Sequence, residues 1–392
     1  MVMKKDKRQV NIIDTTLRNG EQTAGVVFSK HEKLRIAKML DEIGIPEIEV
    51  GTPGLGSLER DIIKSIVDLD LSAKVFAYCE PYPEHVEKAA ETGIKNVILN
   101  ISTSDIHIKK KYKQNKTWTV NRLKEVIRVA KKNDLNFIVS AEDASRSDLE
   151  FLLKILHIAK KRGAYRFRIC DTVSRYDPFR TFLNINSIAN SVNFPLEVYN
   201  HNDFGMATAN GMAAIRAGAT SIVVSVGGLG EGTGNAALEE IVMALKYLEN
   251  VELGIATIRF REIAEYVAKA SARAIPVWKA IVGTNVFAHE SGIHADGVIK
   301  NPKNYEVFKP SEVGLTRQLV VGKHSGSHTI LHKFKEFGID LTDKEANDLL
   351  TLAREMAVDL KRPLFDKELM YIYKDYIKKK EETEEVDSLT SE

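Results

Sequence analysis

The chain has 392 residues, of which 44% are hydrophobic and 28% charged, as in an ordinary globular protein with one large domain or two medium ones. Its 56 basic residues nearly balance 54 acidic ones, which argues against nucleic acid or an anionic membrane as the main partner. Two cysteines do not suggest a disulfide framework, and the N-terminal stretch lacks a signal peptide's apolar segment, so a cytoplasmic location is expected.

Eight short apolar or β-branched runs recur through the first part of the chain, separated by helical patterns. They occupy residues 9–13, 47–51, 74–78, 96–101, 135–140, 165–170, 196–200 and 220–226. Eight strand–helix units predict an α/β fold, a (β/α)8 TIM barrel over residues 9–250. A doubly wound open sheet is the alternative. Polar clusters follow the strands rather than the helices, which favours a barrel because they would converge at its C-terminal mouth.

The regular alternation stops after the barrel segment. Residues 251–380 combine helical patterns with a loop-like stretch rich in Gly, His and Asn, and they predict a small, mostly helical C-terminal appendage. Residues 1–8 are predicted to be a flexible N-terminus. The charged and polar residues 381–392 are predicted to be disordered.

The first strand runs into the polar loop DTTLRNGEQ, which offers candidates for chemistry. Arg18 at a strand end can neutralise a developing enolate or a carboxylate, or it can pair with Asp14 or a neighbouring acid to hold the barrel rim. Asn19, His201 and Asn235 together offer two amide oxygens and one imidazole, a mixed donor set that suits Mg²⁺, Mn²⁺ or Zn²⁺.

Three further segments carry candidate groups. The glycine-rich stretch 227–235 precedes a helix, so its N–H groups could hold a carboxylate or phosphate, or it could be a tight turn. His294 is a candidate general acid or base, or a surface histidine. Glu142 at a strand end could orient a substrate, act as a base, or cap the following helix.

Several motifs, in order over residues 9–340, together resemble the acyl-CoA-dependent 2-oxo acid synthases: DTTLRNGEQTAG, SAEDASRSDLEF, NHNDFGMATAN, GEGTGNAALEEIVMAL, HESGIHADG and GKHSG. This group of metal-dependent (β/α)8 enzymes comprises the homocitrate, 2-isopropylmalate and citramalate synthases. The segments EDASRSDLEF and GNAALEEIVMAL are most similar to the homocitrate synthases of nitrogen-fixing bacteria.

The resemblance implies a Claisen-type condensation of acetyl-CoA with a 2-oxo acid, followed by hydrolysis of the thioester. A divalent metal (Mg, Mn or Zn) would polarise the ketone. The favoured acceptor is 2-oxoglutarate, which would give homocitrate and CoA. The alternatives are pyruvate, oxaloacetate and 2-oxoisovalerate.

The resemblance also implies roles for individual residues. Arg18 would stabilise the oxyanion, Glu142 and His294 would transfer protons, and Tyr305 would assist them. The residues implied in substrate binding are Gln22, His107, Ser140 and Thr172. The appendage would reach over the barrel of a second subunit, which implies a homodimer.

Two of the four positions implied as metal ligands depart from the family pattern. Asn19 replaces an acid, Tyr199 replaces the first histidine of a His-x-His motif, and His201 and Asn235 are retained. Three hypotheses follow. The chain is an active synthase with a rebuilt metal site, a silent paralogue that acts as a partner subunit of an intact synthase, or an enzyme with altered chemistry in the same barrel.

Overall fold

The structure is a computed structural model that describes residues 9–390, with side chains described through residue 383. The predicted flexible N-terminus, residues 1–8, lies outside the described residues. The chain divides into two compact units, the first ending at Ile275 and the second beginning at Pro276.

This division differs from the boundary predicted between residues 250 and 251. The helix Phe260–Ala270 belongs to the first unit, and its apolar side buries Phe260, Ile263 and Val267. This helix, predicted as part of the appendage, is therefore part of the barrel unit.

The first unit contains a closed barrel of eight parallel strands, so the predicted (β/α)8 fold is confirmed. The barrel closes because the first strand pairs with both the second and the eighth. The strands are β1 Asn11–Asp14, β2 Glu47–Gly51, β3 Lys74–Cys79, β4 Asn96–Ser102, β5 Asn136–Glu142, β6 Phe167–Asp171, β7 Leu196–Asn200 and β8 Ser221–Val224.

Helices follow the strands in sequence, and their apolar faces supply buried residues such as Ile36, Ile63 and Leu156. The first helix begins with a capping box between Ser29 and Glu32, as the sequence suggests. The helices of this unit are α1 Lys30–Glu42, α2 Ser57–Val67, α3 Pro83–Glu91, α4 Lys116–Lys132, α5 Leu149–Lys161, α6 Pro178–Ser191, α7 Ala207–Arg216, α8 Leu238–Glu249 and α9 Phe260–Ala270.

The inside of the barrel holds a network of buried ion pairs. Arg168 Nη2 lies 2.5 Å from Glu49 Oε1, and Arg168 also pairs with Glu197. Arg166 Nε lies 2.6 Å from Glu197 Oε2, and Arg166 Nη1 lies 3.2 Å from Glu47 Oε1. Each of these five residues is less than a tenth exposed. The network thus joins β2, β6 and β7 across the barrel.

The second unit is mostly helical around a two-stranded parallel sheet. Its core includes Val321, Phe334, Leu349 and Leu364. Its elements are β9 Ala288–His289, α10 Gly292–Lys300, β10 Gln318–Leu319, α11 Ser327–Glu336, α12 Asp343–Leu360 and α13 Asp366–Thr390. Among the helices of the described residues, none combines the length and the apolar character needed to cross a membrane.

The last helix corrects the prediction of a disordered tail at residues 381–392. Residues 381–390 are part of α13, and the final two residues lie outside the described range. The lysines at 378–380 precede the glutamates at 381 and 382, and Lys378 pairs with Glu382 one helical turn later at 3.8 Å. Such pairs support an exposed helix that composition alone would assign to disorder.

Candidate active site

Arg18 lies at the C-terminal mouth of the barrel, in the helical turn that directly follows β1. Asp14 starts this turn, since its carboxylate accepts hydrogen bonds from the Thr16 N–H at 2.8 Å and the Thr16 hydroxyl at 3.1 Å. The Arg18 guanidinium lies between two rings, with its carbon 4.4 Å from the centroid of Tyr78 and 5.6 Å from that of Tyr199. The floor of the mouth is therefore a buried cation between aromatic rings.

Glu49 holds this cation in place. Its Oε2 lies 2.8 Å from Arg18 Nε and 2.6 Å from Arg18 Nη2, and it accepts a hydrogen bond from the Thr15 hydroxyl at 2.8 Å. Burial by itself would raise the pKa of Glu49, but Arg168 and Arg18 lower this pKa to about 2. The pair therefore stays ionised at neutral pH. Arg18 was predicted either to serve chemistry or to pair with Asp14 or a neighbouring acid, and its ion-pair partner is the acid Glu49 rather than Asp14.

Glu142, the last residue of β5, forms a second polar cluster at the mouth. Lys111 Nζ donates to its two oxygens at 2.8 and 3.1 Å, Ser102 donates a short hydrogen bond, and Asn100 Nδ2 donates at 3.4 Å. Burial would raise the pKa of Glu142, but interactions with His107 and Lys111 lower this pKa to about 2. Glu142 is thus an anion held by donors and does not cap the next helix, whose N-cap is an aspartate.

Three predicted substrate-binding residues lie on or near the Glu142 side of the mouth. His107 lies with Nδ1 3.7 Å from Glu142 and Nε2 3.7 Å from Asp143. The Thr172 hydroxyl accepts a hydrogen bond from the Asp143 N–H at 3.0 Å. Ser140, however, is buried, and its hydroxyl lies 3.3 Å from a cysteine thiol of β6. His107 and Thr172 therefore join the Glu142 cluster, whereas Ser140 already has a partner inside the barrel.

Asn19, Gln22 and Asn235 form a hydrogen-bonded amide cluster beside Arg18. Asn19 Nδ2 donates to Gln22 Oε1 at 3.1 Å. Asn235 Nδ2 donates to Asn19 Oδ1 at 2.9 Å and to the Leu229 carbonyl at 3.0 Å. The Glu231 N–H also donates to Asn19 Oδ1, at 3.3 Å. Two predicted metal ligands are thus in direct contact with each other.

The glycine-rich stretch 227–235 uses several of its N–H groups within the protein. The Gly227 N–H donates to Glu239 Oε2 at 3.1 Å, and the Gly228 N–H donates to the Ser225 carbonyl at 3.0 Å. A side chain at Gly230 would come within 2.8 Å of Asn19 Oδ1, so this glycine permits the close approach of the loop. These contacts favour a structural turn over an anion site.

Tyr199 and His201 lie next to each other at the end of β7. Their ring centroids are 4.9 Å apart. Tyr199 is 4% exposed, its hydroxyl has no hydrogen-bond partner among the described residues, and burial raises its pKa. Burial and the nearby Arg18 lower the pKa of His201 to about 4, so its imidazole is neutral at pH 7.

His294 and Tyr305 belong to the second unit. Their ring centroids are 4.3 Å apart, and both side chains are exposed. A side chain at Gly297 would come within 2.5 Å of the Tyr305 ring, so this glycine of α10 allows the tyrosine to pack closely. The two predicted residues of the appendage thus form one exposed pair.

Tyr78 and Lys111 belong to the site but were missed by the sequence analysis. Tyr78 lies one residue before the end of β3, at a position where an inward-facing tyrosine could have been noticed. Lys111 ends the run of lysines 109–111, and nothing in the sequence separates it from its neighbours.

The sequence matches the family described as HMGL-like over residues 9–267, and the family described as homocitrate synthase post-HMGL domain-like over residues 281–361. A relative from Caldanaerobacter subterraneus named 2-isopropylmalate synthase 2 is 55% identical, over 97% of this chain and 98% of that protein. The chain belongs to the HMGL-like synthase family.

Other relatives of this synthase carry different names. Homocitrate synthase 1 of a Nostoc species is 46% identical, over 94% of this chain and 97% of that protein. The (R)-citramalate synthase of Methanocaldococcus jannaschii is 40% identical, over 97% of this chain and 78% of that protein. Relatives with these three names support the synthase family, and each name implies a different 2-oxo acid.

Solved structures support the fold of the synthase. The HMG-CoA lyase of Bacillus subtilis aligns with a TM-score of 0.63 at 21% identity, covering 69% of this chain and 96% of that chain. The HMG-CoA lyase of Acinetobacter baumannii, solved with coenzyme A and 3-methylmalate, aligns with a TM-score of 0.64 at 16% identity, covering 73% of this chain and 99% of that chain.

A divalent metal is typical of HMGL-like synthases, but the donors in this mouth do not fit one. The four predicted ligands comprise two neutral amides, one phenol and one imidazole, with no anionic ligand to balance a divalent charge. Asn19 Oδ1 already accepts two hydrogen bonds. Within residues 9–383, no group of three or more His, Cys, Asp or Glu side chains is arranged to hold an ion.

Proposed function

We propose that this synthase is an acyltransferase that condenses acetyl-CoA with a 2-oxo acid. The observation that carries the proposal is the mouth itself, where the buried Arg18 cation and the ionised Glu142 lie at the ends of β1 and β5. A condensation of this kind needs a cation beside a developing oxyanion and groups that move a proton. The names of the relatives support the same reaction class.

The reaction has two stages. A base removes a proton from the acetyl methyl group, and the resulting carbon attacks the 2-oxo carbon. A C–C bond forms, the carbonyl electron pair moves onto oxygen, and this oxygen takes up a proton. Water then cleaves the thioester C–S bond, which releases the CoA thiol, a carboxylate and one proton. Arg18 stabilises the negative oxygen, and Glu142, His294 and Tyr305 serve the proton transfers.

In this proposal Lys111 contacts either the base, Glu142, or a carboxylate of the bound acceptor. While Lys111 contacts Glu142, the low pKa makes this carboxylate a weak base. The Lys111 side chain is 43% exposed, so it can turn towards a carboxylate of the bound acceptor and release Glu142.

An acceptor with two carboxylates would use Arg18 for one and Lys111 for the other. Two cations favour a dicarboxylate acceptor, 2-oxoglutarate or oxaloacetate, and the match to the homocitrate synthase post-HMGL domain supports 2-oxoglutarate, with homocitrate as the product. The 55% identity to a 2-isopropylmalate synthase supports 2-oxoisovalerate as the second candidate.

The test is a turnover assay on the purified full chain. Acetyl-CoA is supplied with 2-oxoglutarate, 2-oxoisovalerate, pyruvate or oxaloacetate, with and without Mn²⁺, and the free CoA thiol is measured. We expect the highest kcat/KM with 2-oxoglutarate. Lys111→Met should raise the KM for 2-oxoglutarate at least tenfold and leave that for 2-oxoisovalerate nearly unchanged, since about 1.4 kcal/mol of binding corresponds to a factor of ten. A higher kcat/KM with 2-oxoisovalerate would reassign the acceptor.

A silent partner subunit is the second candidate function, favoured by the replaced ligand positions Asn19 and Tyr199. It predicts no turnover with any acceptor and co-purification with an intact synthase. Under this reading, the double substitution Asn19→Asp with Tyr199→His would produce Mn²⁺-dependent turnover where the natural chain has none.

We also propose that the active form is a homodimer in which His294 and Tyr305 of one subunit serve the barrel of the other. Inactive His294→Ala and Glu142→Gln chains are mixed, dissociated and reassociated. If the residues act across subunits, each mixed dimer regains one intact site, and activity returns to about a quarter of the natural level. No recovery in a mixture that light scattering shows to be dimeric would contradict the arrangement.

A further inference from the structure

Tyr199 occupies one of the implied metal-ligand positions, and it is buried beside Arg18. We propose that its hydroxyl donates a hydrogen bond to the 2-oxo oxygen of the acceptor, so that the carbonyl is activated by Tyr199 and Arg18 without a divalent ion. This inference rests on the condensation proposed above.

The first observation is the Tyr199 hydroxyl itself. The residue is 96% buried, as its exposure of 4% implies, and the hydroxyl has no hydrogen-bond partner among the described residues. Tyr199 packs with Ile13, Cys170 and Val223 below Arg18, and burying a donor without an acceptor costs stability, so its hydroxyl would gain from an acceptor that arrives with the ligand. An unperturbed phenol keeps its proton at neutral pH, so Tyr199 can act as a donor.

The second observation is the charge around this ring. The guanidinium carbons of Arg18 and Arg168 each lie 5.6 Å from the centroid of Tyr199. Arg18 Nη1 has only a long contact, 3.5 Å, to Gln22 Oε1, so it retains donor capacity. Negative charge that develops on an oxygen beside Tyr199 would therefore meet a hydrogen-bond donor and the Nη1 of Arg18, in a buried setting where Glu49 and Glu197 pair with the two guanidinium groups.

The third observation is that direct contacts take up the Asn19 Oδ1 atom, whereas Asn235 Oδ1 has no hydrogen-bond partner among the described residues. Asn235 Nδ2 donates to both Asn19 Oδ1 and the Leu229 carbonyl, which fixes the orientation of this amide. Asn19 Oδ1 accepts hydrogen bonds from Asn235 Nδ2 and from the Glu231 N–H, so an ion could bind it only by displacing these two donors. The departures at Asn19 and Tyr199 thus leave a hydrogen-bonded amide oxygen at one position and a phenol hydroxyl without a partner among the described residues at the other.

In the step itself, the acetyl carbanion attacks the 2-oxo carbon and the C=O electron pair moves to oxygen. Tyr199 and Arg18 donate hydrogen bonds to this oxygen. The proton taken from the methyl group by the carboxylate base balances the proton that the oxygen takes up. No metal, oxidant or reductant enters the balance.

The first experiment measures metal binding without reference to activity. The natural chain and the Asn19→Asp/Tyr199→His double variant are dialysed against EDTA and titrated with Mn²⁺ in an electron paramagnetic resonance assay. We expect no stoichiometric site in the natural chain and one site per chain in the double variant. The proposal is overturned if the natural chain binds one Mn²⁺ and needs it for turnover.

The second experiment removes the hydroxyl and keeps the ring. We expect Tyr199→Phe to lower kcat by about 100-fold with little change in KM, as for the loss of one oxyanion donor. The melting temperature should not fall, because the hydroxyl has no partner to lose. Tyr371→Phe, at a 55% exposed tyrosine, is the matched control and should keep full activity. Natural turnover by Tyr199→Phe would refute the role of this residue.

A third measurement separates this inference from the proposed reaction. If the natural chain turns over no acceptor, calorimetry in EDTA measures binding of 2-oxoglutarate and 2-oxoisovalerate. If the acceptor binds without metal and Tyr199→Phe weakens this binding at least tenfold, the hydrogen bond from Tyr199 is supported. The synthase reaction is then contradicted, because the natural chain binds the acceptor without turning it over. Binding only with Mn²⁺, or no binding, would reject the role of Tyr199.

Discussion

The Glu49→Gln substitution is predicted to destabilise the barrel strongly while keeping the side chain's shape. Glu49 is fully buried and contacts both Arg18 and Arg168. After the substitution, three interior guanidinium groups, those of Arg18, Arg166 and Arg168, would face only the carboxylates of Glu47 and Glu197. Removing one partner of a buried ion pair costs about 3–5 kcal/mol.

The pKa of Glu49 provides an independent magnitude. Its shift from the ordinary value of 4.5 to about 2 corresponds to about 3 kcal/mol of stability. Because the folded-state pKa is the lower one, this stability is present above pH 4.5 and is lost as the pH falls towards 2. The Gln variant lacks a titrating carboxyl, so its deficit relative to the natural chain should shrink over the same range.

Calorimetric unfolding of both proteins between pH 3 and 7 tests this reasoning. At pH 7 we expect the melting temperature to fall by roughly 6–20 °C, taking 2–4 °C per kcal/mol for a domain of this size class. Glu42→Gln is the control, because Glu42 pairs with Arg35 and Arg259 on the surface and should cost less than about 0.5 kcal/mol. A melting temperature of Glu49→Gln equal to that of the control, or a deficit that does not change with pH, would refute the argument.

The remaining predictions concern individual groups of the two units. Glu142→Gln should lower kcat about 100-fold in the CoA-release assay, and equal rates would exclude Glu142 from proton transfer. Burial raises the pKa of Asp14 to about 7, so ionisation destabilises the folded state by about 4 kcal/mol as the pH rises from 4 to 7. The melting temperature of Asp14→Asn relative to the natural chain should therefore rise from pH 4 to pH 8, and a constant difference would contradict this. His294→Gln should lower kcat at least tenfold but shift the melting temperature by less than about 2 °C, because the side chain is exposed.

The barrel could be predicted because most of its parallel strands are apolar or β-branched runs between helical patterns. The runs at residues 47–51 and 196–200 coincide with β2 and β7, although both contain glutamates. Polar residues such as Asn19 and Glu142 follow or end these runs, so their common position at one end of the barrel also follows from the order of the elements. Periodicity and strand order are local properties, and a single sequence carries them.

The interior charges could not be predicted in the same way. Arg166 and Arg168 alternate with apolar residues and look like the polar side of an exposed strand. Arg166 pairs with Glu47, which lies 119 positions away in the sequence, and no local pattern predicts a contact over that separation. The contact between Asn19 and Asn235 spans 216 positions, so no local pattern in the sequence predicts it either.

The ion network has a consequence for how the barrel assembles. Glu47 on β2 pairs with Arg166 from the start of the β6 segment, more than a hundred residues later, and Glu49 pairs with Arg168 as well as with Arg18. A half-barrel that ended after β4 would hold two glutamates and one arginine of the network, and one that began at β5 would hold two arginines and one glutamate. Each half would therefore bury one uncompensated charge, so the ion pairs favour a single cooperative assembly of all eight strands over stepwise growth from either half.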